Sequence, residues 1–141
     1  LRQQIRNQML ADLKPQLEQI DTKAEKLQAD AKDIYRRMKL LEREYKTRME
    51  LAEEEYEEAI EEINRIQRKR EDLDLAQMRR DAEDFYEKKV DAIKASFAPL
   101  TSRLRREWDK TKAEKDLLDR KRKRLIQQAV KRAEAKIPDR P

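Results

Sequence analysis

Glycine is missing from this sequence altogether, and so are histidine and cysteine. Each absence excludes something. Glycine supplies positive φ in tight turns and at helix C-caps, so its lack argues against a fold with many turns. It also removes the phosphate-cradling loop and the dinucleotide fingerprint, which cannot be built without it. Without cysteine there are no disulfides, no thiolate nucleophile and no thiolate metal site. Without histidine the commonest general base is gone, and the Glu-x-x-His motif of four-helix di-metal sites cannot be written. Carboxylates abound, but on helix surfaces water keeps them ionised, unlike carboxylates shifted for catalysis in a pocket. The expectation is a protein that is not an enzyme, with no catalytic residue, no cofactor, no metal site and no small-molecule substrate.

Bulky apolar residues are scarce as well. Leu, Ile, Val and Phe number 28 of 141, the aromatics only seven, and 48% of the chain is charged. That composition borders on the one that leaves chains disordered. Two facts pull the other way. Thirty-six basic residues nearly cancel 31 acidic ones, and 84 residues are Ala, Glu, Lys, Leu or Arg, the alphabet of long helices and coiled coils. No apolar run exceeds a few residues, so no segment is expected to span a bilayer. No signal peptide is visible, and nothing in the sequence fixes a compartment. The chain opens on Leu1, not Met, which fits a processed product or a piece of something longer.

The apolar residues that exist are spaced with care. Leu13, Leu17, Ile20, Ala24, Leu27, Ala31, Ile34, Met38, Leu41 and Tyr45 step alternately by four and three, the seam of a coiled coil. Beyond Tyr45 a strict heptad fails and an eleven-residue repeat takes over. Met38, Met49 and Ile60 form one row, Leu41, Ala52 and Ile63 a second, Tyr45 and Tyr56 a third. Such a repeat straightens or reverses the supercoil. The pattern blurs between Arg68 and Arg80, where Asp72 or Asp74 can cap a new helix. It resumes at Met78, Ala82, Phe85 or Tyr86, Val90, Ile93 and Phe97. A further stretch carries Leu104, Trp108, Leu118, Leu125, Ala129 and Ala133, ending near Ile137 before Pro138.

Proline is costly inside a helix and welcome in its first turn, so Pro15 and Pro99 are natural boundaries. The expected organisation is a short N-terminal helix over 1–14, a long coiled-coil helix over 15–97 with a break near 72, and a basic C-terminal helix and tail over 98–141. The fold class is all-α, an elongated long-helix or coiled-coil rod, with a helical hairpin cornered near Pro99 as its folded-back form. In "ASFAPLTS" the corner has its best residues. Phe85, Tyr86, Phe97 and Trp108 gather around it, either plugging the top of a hairpin or docking a partner.

Charge is unevenly spread. Residues 1–49 carry +4, 50–62 carry −8 with eight glutamates and no base, 63–99 carry +1, and 100–141 carry +8. Within the acidic run Glu53/Glu57, Glu54/Glu58, Glu57/Glu61 and Glu58/Glu62 are like-charge pairs four apart, each costing a few tenths of a kcal/mol. Three readings compete: a solvated face, an antiparallel homodimer setting 50–62 against about 107–119, or another protein's basic patch. A corner at Pro99 cannot pair 50–62 with the basic stretch 103–124. The strongest polyanion candidate is Arg120, Lys121, Arg122, Lys123 and Arg124, extended by Lys131 and Arg132. It competes with a solvated helix end, where cations suit the dipole, and with an anionic membrane surface. Any nucleic-acid contact there would be to the backbone, because no base-reading motif is present.

The function expected from these features is structural: scaffolding that tethers or spaces parts of a larger assembly through a coiled-coil seam of Leu13, Leu17, Ile20, Leu27, Ile34, Met38, Leu41, Tyr45, Met49, Tyr56, Ile60 and Ile63. The partners are protein, either copies of itself or a larger complex. Nucleic-acid backbone binding by the basic C-terminal helix is the alternative.

Overall fold

The computed structural model describes residues 1–136 and consists of two helices, α1 (Arg2–Lys69) and α2 (Ala76–Ala135), with no strand among the described residues. Ile137 and Pro138, where the last helix was expected to end, lie outside them.

Pro15 and Pro99 both sit inside helices. The corner expected at Pro99 is therefore corrected, and so are the boundaries expected at 14/15 and 97/98. The physical reason lies in what surrounds each ring. A proline inside a helix leaves the carbonyl four residues earlier without its partner. Here those carbonyls belong to Ala11 and Ala95, and all four residues are exposed, so water can take the place of the lost donor. Packing on either side then holds the helix through the gap. Leu13 and Leu17 are half-buried around Pro15, while Phe97 is buried and Leu104 half-buried around Pro99.

The chain reverses instead at residues 70–75, and it does so without glycine or any positive φ. The Arg70 N–H still donates to the Ile66 carbonyl at 2.9 Å, and the Leu73 N–H closes back on the Arg70 carbonyl at 3.2 Å. Asp74 then caps α2, its Oδ1 accepting the Ala76 N–H at 3.0 Å. Such a cap satisfies one orphan amide at the helix start. Leu75, buried at 6% exposure, pins the turn to the helices it joins. Arg68 and Lys69 end α1, where cations meet the negative end of its dipole.

The chain divides into two units, each an antiparallel helix pair. The turn unit, Arg36–Arg105, is a helical hairpin. Its cross-helix partners have residue numbers adding to about 143: Asn64 with Arg79, Tyr56 with Tyr86, Tyr45 with Phe97. Its core is Ala52, Ile93 and Phe97, flanked by Leu41, Tyr45, Met49 and Tyr86. The terminal unit is Leu1–Tyr35 with the chain from Arg106 onward. The same rule of register holds within it, Asp21 with Arg122, Gln28 with Lys115 and Tyr35 with Trp108. Ile20, Ala31, Ile34, Ala129 and Ala133 are its buried apolar residues.

Alanine explains how so little bulk suffices. Ala31, Ala52, Ala129 and Ala133 are exposed by 4% or less. A small seam residue is covered only where the facing helix comes close, so these positions let backbones approach and bring the larger neighbours into contact. Two helices can cover one stripe each and nothing more. No large side chain is fully buried among the described residues, and every buried position lies on the α1–α2 seam or at the turn.

Candidate interaction surfaces

The twelve seam residues, Leu13 to Ile63, are all buried or half-buried. What covers them within each unit is α2 of the same chain, not a second molecule. The stripe is satisfied internally by the other helix of each pair.

The four aromatics expected at a corner are spread along α2 instead. Phe97 is buried and meets Tyr45 edge-on, ring centroids 5.5 Å apart, with the Arg48 guanidinium 5.3 Å from its centre. Tyr86 lies against Tyr56 at 5.0 Å. Trp108, in the terminal unit, sits 6.2 Å from Tyr35, and the Lys112 ammonium lies 4.7 Å from its ring. These three are rungs across an antiparallel pair, each worth about 0.5–1.5 kcal/mol beyond the area it covers. Phe85 is different. It is 65% exposed and touches only the Lys89 ammonium among the ring contacts described, at 5.9 Å.

With the corner at 70–75, the glutamate run 50–62 faces 81–93. That segment brings five acids of its own, Asp81, Glu83, Asp84, Glu87 and Asp91, against two lysines. Lys89 reaches Glu55 across the pair. Within α1, Lys46 and Arg65 meet the two ends of the run at Glu50 and Glu62, 4.0 and 3.4 Å away. The middle of the run, Glu53, Glu54, Glu57 and Glu58, is exposed. Folding thus puts like charge beside like charge, tolerable only because the carboxylates stay in water.

The basic run 120–124 lies on α2 of the terminal unit. Arg122 is half-buried and turns inward, its Nε donating to Asp21 Oδ1 at 2.9 Å. Arg120, Lys121, Lys123, Arg124, Lys131 and Arg132 are exposed, and no ion pair among the described residues involves them. Nearby, Arg6 bonds Glu134 at 2.7 Å. Residues 1–35 and 106–136 together hold eighteen bases against twelve acids, so this unit is the positive one.

Three apolar doublets mark a face outside the seam, and of their outward members only Phe85 was singled out from the sequence. In Leu40–Leu41, Phe85–Tyr86 and Leu117–Leu118 the second member enters the seam and the first points away, 51%, 65% and 62% exposed. Adjacent residues on a helix are about 100° apart, so a narrow seam can take only one of each pair. The doublets were the available signal for an apolar face outside the seam. Around Leu117 that face becomes a groove of about 490 Å³, floored by Leu27, Leu117 and Leu118 and rimmed by lysines and carboxylates. No helix of the described residues is long and apolar enough to cross a membrane.

No protein-family model, curated protein sequence or solved structure matches this chain.

Proposed function

We propose that the protein is a non-enzymatic structural component that tethers or spaces parts of a larger assembly. The observation that carries this reading is the division of labour between faces. Each helix pair satisfies its own seam, leaving outer faces with exposed leucines and blocks of opposite charge for contacts to other molecules. Exposed apolar residues rimmed by charge are what protein interfaces are made from. Such a protein works by holding its neighbours at a distance set by helix length. The test is sedimentation of the native assembly followed by crosslinking mass spectrometry. The chain should travel with the assembly at fixed stoichiometry, with its lysines linked to at least two separate neighbours. A chain that sediments alone refutes the reading.

A second reading rests on the positive terminal unit. Its exposed bases, above all Lys121, Lys123, Arg124, Lys131 and Arg132, support binding to a nucleic-acid backbone without reading sequence. Random-sequence RNA bound at about 50 mM salt and lost by about 200 mM would favour it. Absence of binding at the lower salt would eliminate it.

A further inference from the structure

The Leu117 groove has a property that its apolar floor alone would not give: its charges are sorted along its length. At one end stand Lys23, Lys26 and Lys121. Past Leu27 the groove continues into a second hollow of about 330 Å³ that shares Leu27, Asp30 and Glu114 with the first. There Glu107 joins those two carboxylates, while Asp33 and Lys110 offset each other in charge. Three lysines thus occupy one end and three carboxylates the other, with leucines between them.

We propose that this face binds the same face of a second copy of the chain. Two ways of laying it on itself are available. A twofold axis parallel to the helices stacks lysine on lysine and carboxylate on carboxylate, which is repulsive. A twofold axis lying in the interface and crossing the helices at right angles reverses the second copy. The lysine end of each then meets the carboxylate end of the other. An isologous contact of this kind is self-complementary and closes at two copies. The register supports it. Lys121 and Glu114 stand seven residues apart on α2, about two turns, and share its groove side. With the axis crossing α2 between Leu117 and Leu118, Lys121 of one copy comes beside Glu114 of the other. Leu117 then faces Leu118 of the other copy and leaves water, and the two helix pairs become a four-helix bundle, which can cover apolar stripes that two helices cannot. This deepens the structural reading by naming one partner of the terminal unit.

The test is the mass of the full chain by light scattering and sedimentation from about 1 to 100 µM, a range bracketing ordinary self-association. The expected result is a concentration-dependent dimer that weakens with salt. Leu117→Glu should weaken it at least tenfold, the effect of losing one central interface anchor. Because Leu117 is exposed in the single chain, its helical circular dichroism should stay as in the parent. Lys121→Glu should also weaken the dimer about tenfold, and adding Glu114→Lys to it should restore most of that loss. A chain that is monomeric at 100 µM overturns the proposal. So does a dimer that ignores Leu117→Glu, or one that the charge swap fails to rescue. A monomer that still travels with its native assembly would refute this pairing while sparing the tethering role.

Discussion

Phe97 and Phe85 lie twelve residues apart on α2, and the fold assigns them opposite fates. Phe97 is 5% exposed, wedged against Tyr45, Ala52 and Ile93; Phe85 is 65% exposed. Truncating Phe97 to alanine removes on the order of 150 Å² of buried apolar surface, about 4 kcal/mol at 25 cal/mol/Å². The lost edge-on contact with Tyr45 would add about 0.5–1.5 kcal/mol. Two helices can close over a cavity more easily than a multilayer core, so the low end of the measured range, about 3 kcal/mol, is the expected cost. In urea, with a slope of about 2 kcal/mol/M, the midpoint falls by about 1.5 M. Phe85→Ala forfeits only an exposed cation–π contact and should cost less than about 1 kcal/mol. The assay is equilibrium urea unfolding followed by circular dichroism at 222 nm. Equal costs for the two, or a larger cost at Phe85, would refute the register on which every cross-helix contact here depends.

Pro99→Ala should stabilise the chain. Removing a helix-interior proline recovers up to about 3 kcal/mol, less about 1 kcal/mol for a looser unfolded chain, and a corner proline would give no such gain. Urea unfolding distinguishes them. Asp74→Ala removes the cap of α2 and should cost about 1 kcal/mol, against less than about 0.5 kcal/mol for Asp72→Ala, by the same assay. Because the chain has no cysteine, Gln28→Cys with Lys115→Cys gives a clean pair for a short bismaleimide. Within-chain crosslinking is expected at low micromolar concentration, whereas on one unbroken helix the two sites would stand roughly 130 Å apart. Changing Glu53, Glu54, Glu57 and Glu58 together to lysine sets bases against the acids of 81–93. Stability should rise at low salt by about 1 kcal/mol in total, read as a higher melting temperature, and the gain should vanish in 1 M salt.

The all-helical class and the seam were legible because they rest on periodicity, which survives without knowing what the seam packs against. Leu13 to Ile63 had to share a face wherever that face was buried. The corner was not legible for a specific reason. Proline is the loudest local signal in a sequence without glycine, and Pro99 sits among small residues with aromatics on either side. Its local cost is outweighed by packing that only the register reveals: Phe97 under Tyr45, two residues before the ring. The true turn carries quieter marks, a blurred heptad and an aspartate that can cap. An N-cap is worth about 1 kcal/mol against about 3 for a helix-interior proline, so ranking them by local energy picks the wrong one. The outward members of Leu40–Leu41 and Leu117–Leu118 were hidden likewise, because a periodicity argument keeps the residue that fits and discards its neighbour.

Moving the corner from 99 to 72 changes where a partner can act. With the turn at 99, α1 residues before about 56 would have had no helix of their own chain opposite them, and their seam would have stayed open to other molecules. With the turn at 72, the rule of about 143 finds a partner for nearly every position of both helices. The seam then serves stability alone. A contact made through Leu41 or Ile63 would first have to displace α2, at the cost of the buried surface already gained there. A contact made on the Leu117 groove would carry no such cost. Substitutions should separate the same way: seam changes lower the unfolding midpoint and leave partner affinity intact in molecules still folded. Groove changes do the reverse. A seam variant such as Ile63→Ala that kept its helical content yet lost partner binding would show that the two roles are not divided between the faces.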